Sequence, residues 1–459
     1  MEHYICFNCN LELPFEFPLF DCPRCGSSLM ISHDIESVKE ELMKALNKKS
    51  GMWGFEALLP KVRSRITLGE GNTPLVRARK LGEQLNLKNL FIKDETRNPT
   101  SSFIDRGSSV LVSLAKDRGY KILDVMRSGN LAASIAAYAS AANMECYISS
   151  AEPYDLIKVY QILAYGGKML EEPPIGSQTY RVSPGDPVLI EGYKTIIFEI
   201  YQIIDHVDAV VVPVGSGSLI SSIWKGLYEL REIGILNEYP RLFGVQSIAY
   251  DPIVRMAKGL PPLKGVRSTI ASDIIFTNPP RARDAIRAVK DTSGELVSVT
   301  DTEILKSMEL LARSEGVLAE PSSAAALSGL IRLVNEGSVD ESDTVIIVIT
   351  GSGLKGISGT IKRLLRKTKL LSGEGLAKLG RTKREILKII ASRSEAHGYE
   401  IWKLLAEMNI HISRTAAYKH VSELEKMGLL KRKNYGRVVK YSLTADGAIL
   451  VNIIRLEES

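Results

Sequence analysis

A chain of 459 residues, 45% hydrophobic and 24% charged, has the composition of a globular protein and more length than one ordinary core uses. No apolar run approaches the roughly 20 residues that span a bilayer, and Met1-Glu2-His3-Tyr4 lacks the basic start of a secretory leader, so the expectation is no membrane and a cytoplasmic location. The net charge of +6 is uneven: from Arg381 onward fifteen Lys and Arg stand against nine Asp and Glu, an excess equal to that of the whole chain.

Four of the five cysteines fall in the first 25 residues, as Cys6-x-x-Cys9 and Cys22-x-x-Cys25. A reducing compartment argues against disulfides, and two tight turns that each offer two thiolates complete a tetrahedral four-sulfur site. Residues 1–33 are therefore expected to form a zinc ribbon with a structural metal, since four sulfur ligands leave no open position for catalysis. Cys146 stands alone and fits a core position. Residues 34–66 are expected to link this ribbon to the body, with Val38, Leu42 and Leu46 at helical spacing.

Over residues 67–369 the pattern is strand, loop, helix, repeated. Residues 122–126 run into Ser128-Gly129-Asn130 and an alanine-rich helix. Residues 207–214 run into Gly215-Ser216-Gly217-Ser218 and another helix, and residues 344–349 end at Thr350-Gly351-Ser352-Gly353. Short β-branched runs closed by glycine turns indicate an α/β body with parallel strands covered on both faces and ligands at their carboxyl ends. A glycine-rich turn opening a helix presents unpaired N–H groups to an anion, which makes Gly215, Ser216, Gly217 and Ser218 a candidate phosphate loop.

Residues 370–380, with Ser372, Gly373 and Gly375, break the periodicity and are expected to be a linker. Residues 381–459 then carry the positive charge. Ile386, Leu387, Ile389 and Ile390 give a first helix its apolar face, His397-Gly398-Tyr399-Glu400-Ile401 opens a second, and Ser413 caps a third. Two strands are expected at 429–433 and 437–443 around an Asn434-Tyr435-Gly436 turn, followed by a last helix from Leu443-Thr444. This order is that of a winged helix-turn-helix. Arg414, Tyr418 and Lys419 sit on or near the start of the third helix, and Lys431, Arg432, Lys433, Arg437 and Lys440 lie on the wing, so double-stranded DNA is the expected partner. Protein contacts are the alternative use of such a domain.

Asn98-Pro99-Thr100-Ser101-Ser102-Phe103-Ile104-Asp105-Arg106-Gly107 resembles the Asn-Pro-Thr-Gly-Ser-Phe-Lys-Asp-Arg-Gly signature of threonine synthases, pyridoxal-phosphate enzymes of fold type II. Leu68-Gly69-Glu70-Gly71-Asn72-Thr73-Pro74-Leu75, Ile92-Lys93-Asp94-Glu95, Glu191-Gly192-Tyr193-Lys194-Thr195 and Glu320-Pro321-Ser322-Ser323 are similar to further segments of that family in the same order. The resemblance implies two lobes of parallel or mixed sheets. It further implies an asparagine at Asn130 on the cofactor's phenolic oxygen, a carboxylate loop at Arg127, Ser128 and Gly129, a phosphate loop at Gly215 to Ser218, and a hydroxyl at Thr350 for the pyridine nitrogen. Three departures matter: Ser218 replaces a glycine, Arg127 replaces a serine, and Ile104 replaces the lysine that in the family forms the Schiff base.

Without that nitrogen the catalytic position is empty, and pyridoxal phosphate can occupy the cleft only non-covalently. Lys93 lies eleven residues earlier, has its own counterpart in the family, and reads as a structural lysine. Residues 381–459 resemble winged-helix repressors of the PadR type. The expectation is a threonine-synthase-like pseudoenzyme acting as a homodimeric, DNA-binding regulator that senses an amino acid, its phosphorylated precursor or pyridoxal phosphate. The alternatives are an active threonine synthase or amino-acid lyase with an appended regulatory domain, and a non-catalytic subunit of an active relative.

Overall fold

The computed structural model describes residues 2–48, 51–149, 156–169, 176–263, 268–355, 379–393, 395–436, 438–444, 447, 450, 451 and 454. The chain divides into two compact units, Met1–Thr360 and Ile361–Ser459. Among the described residues no helix is long and apolar enough to cross a membrane.

In the first unit a six-stranded sheet runs in the spatial order Glu295–Val299, Arg241–Ser247, Ala209–Pro213, Thr344–Ile349, Asn89–Asp94 and Leu75–Arg77. All neighbours are parallel except the last pair. The central Ala209–Pro213 strand is buried along its whole length, which is why Val210, Val211 and Val212 read as a continuous apolar run rather than an alternation. A second, all-parallel sheet orders Lys168–Met169, Glu145–Ile148, Ile122–Val125 and Thr179–Val182. Helices cover both. Cys146, on the Glu145–Ile148 strand, is buried in the core, as its isolation implied, and burial pushes its thiol up to about 12.

The N-terminal segment departs from the expected partition. His3–Ile5, Glu12–Pro14 and Met30–Ser32 form a small antiparallel sheet, and Ile35–Leu46 is the expected helix, capped by Asp34 accepting from Ser37 N–H. Yet Tyr4, Leu29 and Ile31 pack into the same core as Leu111, Val125 and Ile135, so residues 1–33 are no separate globule. Three-residue strands are too short to bury a core of their own, and the body supplies the missing surface. A 3-10 segment at Met52–Leu58, absent from the sequence expectation, lies within residues expected to be a linker and buries Met52, Phe55 and Leu58.

The second unit holds helices Arg381–Arg393, Gly398–Glu407 and Arg414–Lys426 and the antiparallel strands Leu430–Tyr435 and Val438–Leu443, with the short Ala396–His397 strand paired to the latter. Ser413 accepts from Ala416 N–H as the expected cap, and Ile386, Leu387 and Ile390 are buried with Ile401, Leu405, Val421 and Leu424. The hairpin turn is displaced. Tyr435 pairs with Val438, so Asn434 and Tyr435 belong to the strand and the turn starts at Gly436, with φ 62°. Most of the expected linker at 370–380 lies outside the described residues; Leu379 and Gly380 do not.

Candidate functional site

The carboxyl ends of the large sheet open on a cleft lined by Ile104, Arg127, Ser128, Asn130, Gly215, Ser216, Ser218, Asp273, Phe276, Glu320 and Thr350, among others, and enclosing about 690 Å³ with its mouth included. Seven of the nine residues expected to gather around a ligand therefore do so, and Gly129 and Gly217 do not line it.

Gly217 stands behind the loop at φ 88° as the residue before the Ser218–Glu232 helix, and a Cβ there would lie 2.5 Å from the Arg281 carbonyl oxygen. Glycine is needed for both reasons. The first turn of that 15-residue helix sets its positive dipole end at the cleft, with the Ser218 N–H donating to Ser216 Oγ at 3.2 Å. Ser218 fills its family glycine's place without offering its hydroxyl: Oγ donates to Pro184 O at 2.6 Å.

On the opposite wall Asn130 starts the helix Asn130–Ala141, preceded by Gly129 at φ 92°. Asn130 Nδ2 donates to Glu320 Oε1 at 2.8 Å, while Asn130 Oδ1 and Glu320 Oε2 accept no hydrogen bond from any described residue. Burial, then the nearby Asp273, pushes the Glu320 carboxyl up to about 7. Lys158 pairs with Asp273 and stands 3.5 Å from Glu320 Oε2. Lys355 is buried close by, and its Nζ donates to no described residue. Burial holds its pKa below the ordinary lysine value.

Ile104 opens the helix Ile104–Asp117 with its side chain on the cleft wall. Among the described residues no lysine lines the cleft. Lys93 is elsewhere, fully buried, donating to Thr73 O at 2.8 Å and Glu199 Oε2 at 2.6 Å beside Arg106, which joins Glu199 to Glu95. It is a structural lysine, as its place in the sequence implied. Arg127 stacks its guanidinium 3.7 Å above the Phe276 ring and donates to Ile275 O at 2.8 Å, and its charge helps to hold the Asp273 carboxyl below its ordinary value.

The four thiols of Cys6, Cys9, Cys22 and Cys25 converge, with Cys6 Sγ 3.5 Å from Cys25 Sγ and Cys9 Sγ 3.6 Å from Cys22 Sγ. Four sulfurs at about 2.3 Å from a tetrahedral zinc are separated by about 3.8 Å, so the cluster fits that ion. His33, Glu191 and Glu229 also converge, but Lys194 and Lys225 sit among them and neutralise the carboxylates.

In the C-terminal unit Arg414, Lys419, Lys431, Arg432 and Lys433 are exposed and Lys440 is half-buried; Arg437 lies outside the described residues. The Arg414 guanidinium rests 5.2 Å from the Tyr399 ring and 5.8 Å from that of Tyr418. Tyr418 is half-buried: its ring covers Gly398, where a Cβ would meet it at 2.4 Å, so it packs two helices together and steadies Arg414. Lys433 pairs with Glu395.

Sequence reasoning passed over Lys158, Asp273, Phe276 and Arg281, none of which sits in a recognisable turn or periodic face.

Residues 66–351 match the model of the family described as pyridoxal-phosphate dependent enzyme. A threonine synthase of Methanocaldococcus jannaschii is 35% identical over 381 residues, 78% of this chain and 94% of that protein. One from Methanosarcina acetivorans is 34% identical over 77% of this chain and 92% of its own length. Among solved structures, maize serine racemase aligns with a TM-score of 0.53 at 22% identity over 64% of this chain and 93% of that one, and the L-serine ammonia-lyase of Rhizomucor miehei with 0.55 at 20% identity over 63% and 98%. At that identity they establish the shared fold.

Proposed function

The chain belongs to the pyridoxal-phosphate dependent enzyme family, and on that premise we propose that its threonine-synthase-like body holds pyridoxal phosphate, or a phosphorylated amino-acid ligand, without a covalent bond to residue 104. The residues present fit such a group. The helix end at Gly215 to Ser218 would hold the phosphate, Asn130 Oδ1 offers an unused acceptor to the ring's substituent, and Thr350 lies on the cleft wall to receive the ring. When bound, pyridoxal phosphate supplies an electron sink for the α-carbon of an amino acid. Glu320, its carboxyl raised to about 7 by burial, takes up and gives off a proton near neutral pH beside Asn130. The observation that carries this reading is the sec-butyl side chain of Ile104 on the cleft wall, which has no nitrogen to bond or to move a proton.

Four thiols at zinc-like spacing support a structural zinc that fixes residues 6–25. The element order and exposed cations of the C-terminal unit support a winged helix that binds double-stranded DNA as a homodimer. Together these make a ligand-responsive DNA-binding regulator. Retention on genomic DNA fragments at rising salt, with and without pyridoxal phosphate, tests it: selective retention that shifts with the ligand supports regulation, and none at low salt rejects it.

A second reading, an active threonine synthase, is favoured by the names of the relatives, which weigh toward it more than toward regulation. It requires another amine to serve for residue 104, and Lys158 and Lys355 are the buried amines nearest Glu320. Phosphate release from O-phosphohomoserine by the purified chain would establish it.

A further inference from the structure

Three consecutive residues of the ribbon, immediately after Cys25 and Gly26, grip the segment that closes the phosphate loop. Arg283 Nη1 donates to Ser27 Oγ at 3.0 Å, Ser28 Oγ donates to Pro280 O at 2.9 Å, and Arg281 Nη2 donates to Leu29 O at 2.8 Å. Ser27 also belongs to the metal knuckle, because Cys22 N–H donates to its carbonyl at 2.7 Å. From there the path to the cleft is one residue long. The backbone N–H of Arg281 donates to Ser216 O at 3.0 Å, and its own carbonyl oxygen is what a Cβ at Gly217 would strike.

Arg281 is fully buried, and its other donors go to Gly185 O at 2.9 Å and Asp284 Oδ2 at 2.8 Å. A guanidinium out of water keeps its place only while its acceptors stay in place. Leu29 O is the acceptor furthest away in sequence, and it is held by a segment whose strands have three residues each. The body core buries Leu29, and the cysteine cluster fixes the turn just before it. Without a metal that turn keeps only the thiols' hydrogen bonds to one another and to neighbours such as Ser27 and Asn8; the grip of Ser27 to Leu29 then loosens, and Arg281 with the backbone at Ser216 and Gly217 follows.

We propose that Arg281 is a positioning residue that makes phosphate binding at Gly215 to Ser218 depend on metal in the Cys6, Cys9, Cys22, Cys25 cluster. This rests on reading Gly215 to Ser218 as a phosphate loop. Coupling of this kind is reciprocal: a phosphate ligand tightens metal retention by the factor by which metal tightens the ligand.

The test uses the full-length chain, with pyridoxal phosphate and inorganic phosphate as probes and equilibrium dialysis as the readout. Stripping the metal with a chelator is expected to weaken both probes about tenfold or more, zinc to restore them, and saturating pyridoxal phosphate to slow metal release. Ser28→Ala removes the donor to Pro280 O and leaves all four cysteines and the Ser27 hydrogen bond to Cys25 in place, so it is expected to keep its metal and yet bind the probes more weakly. Arg281→Lys is expected to bind like the metal-free protein and to lose its response to zinc. Unchanged affinity after stripping, or an Arg281→Lys protein that still responds to zinc by the full factor, overturns the coupling while leaving the phosphate loop intact. A metal-loaded wild-type chain that binds neither probe overturns both.

Discussion

Asn130 Nδ2 donates to Glu320 Oε1 at 2.8 Å, and the second oxygen of each side chain, Asn130 Oδ1 and Glu320 Oε2, is buried without a hydrogen-bond donor among the described residues. A buried acceptor without a donor at Asn130, and a carboxyl oxygen at Glu320 with only the Lys158 ammonium 3.5 Å away, are costly in an unliganded protein and useful to a ligand that brings donors. The same burial raises Glu320 from its ordinary 4.5 to about 7.

That shift has a sign in stability. In the unfolded chain Glu320 ionises through pH 4.5, whereas the folded protein resists ionisation until about 7, so the unfolded state gains on the folded one across that window. Glu320→Gln removes the ionisation. Its stability relative to the wild type should climb between about pH 4.5 and 7, level off above, and reach on the order of 3 kcal/mol. Urea melts at four pH values measure it, and a difference independent of pH would show that Glu320 ionises normally.

Ser101 adopts φ 62°, in the left-handed region, at the position where the threonine synthase signature has glycine. Its N–H donates to Asn98 O at 2.7 Å and its carbonyl accepts from Ser352 N–H at 3.1 Å, so the backbone cannot relax without breaking both bonds. Ser101→Gly should stabilise the body by about 0.5–1 kcal/mol in thermal or chemical denaturation, the relief of strain exceeding glycine's extra unfolded freedom. A loss of stability would mean that the serine side chain has a role of its own.

Arg106 bridges Glu95 and Glu199 at 2.7 Å each with all three groups out of water, and together with Lys93 it holds the Glu199 carboxyl down to about 2 against the opposing effect of burial. Arg106→Leu leaves one lysine for two buried carboxylates. The expected loss is about 3–5 kcal/mol, with Lys93→Met costing less because Arg106 keeps both acids paired. Denaturant midpoints of the two variants rank them.

On the C-terminal unit, the proposed DNA binding predicts that Lys431→Ala with Arg432→Ala, which removes exposed cations of the hairpin, lowers the slope of log affinity against log salt by about 0.9 for each lost phosphate contact, uniformly across sequences. Arg414→Ala, at the start of the third helix and steadied by Tyr399 and Tyr418, should instead flatten the preference between sequences. Fluorescence anisotropy over a salt series distinguishes the two; equal, salt-independent effects would argue for a protein partner in place of DNA.

The residues that the sequence made legible are those whose chemistry is local. Ser128 to Asn130, Gly215 to Ser218 and Thr350 each follow a buried strand, and a strand that ends in a glycine turn has few places to put its loop except the sheet's carboxyl edge. The Cys-x-x-Cys pairs were equally visible. Arg281 was not, because its partner Leu29 lies 252 residues away and neither residue sits in a distinctive segment. Lys158 and Asp273 likewise acquire meaning only by meeting each other across 115 residues. Asn434 favours turns and so suggests an earlier start for the hairpin turn, whereas its pairing with Val439 keeps it in the strand.

The most direct measurement is borohydride reduction of the purified wild-type chain with pyridoxal phosphate, followed by peptide mass spectrometry, with Ile104→Lys treated alongside. A cleft whose wall at 104 is aliphatic should give no pyridoxyl peptide in the wild type and a single adduct at position 104 in the variant. A stoichiometric adduct on Lys158, Lys355 or any other wild-type lysine, accompanied by turnover of O-phosphohomoserine, would contradict it.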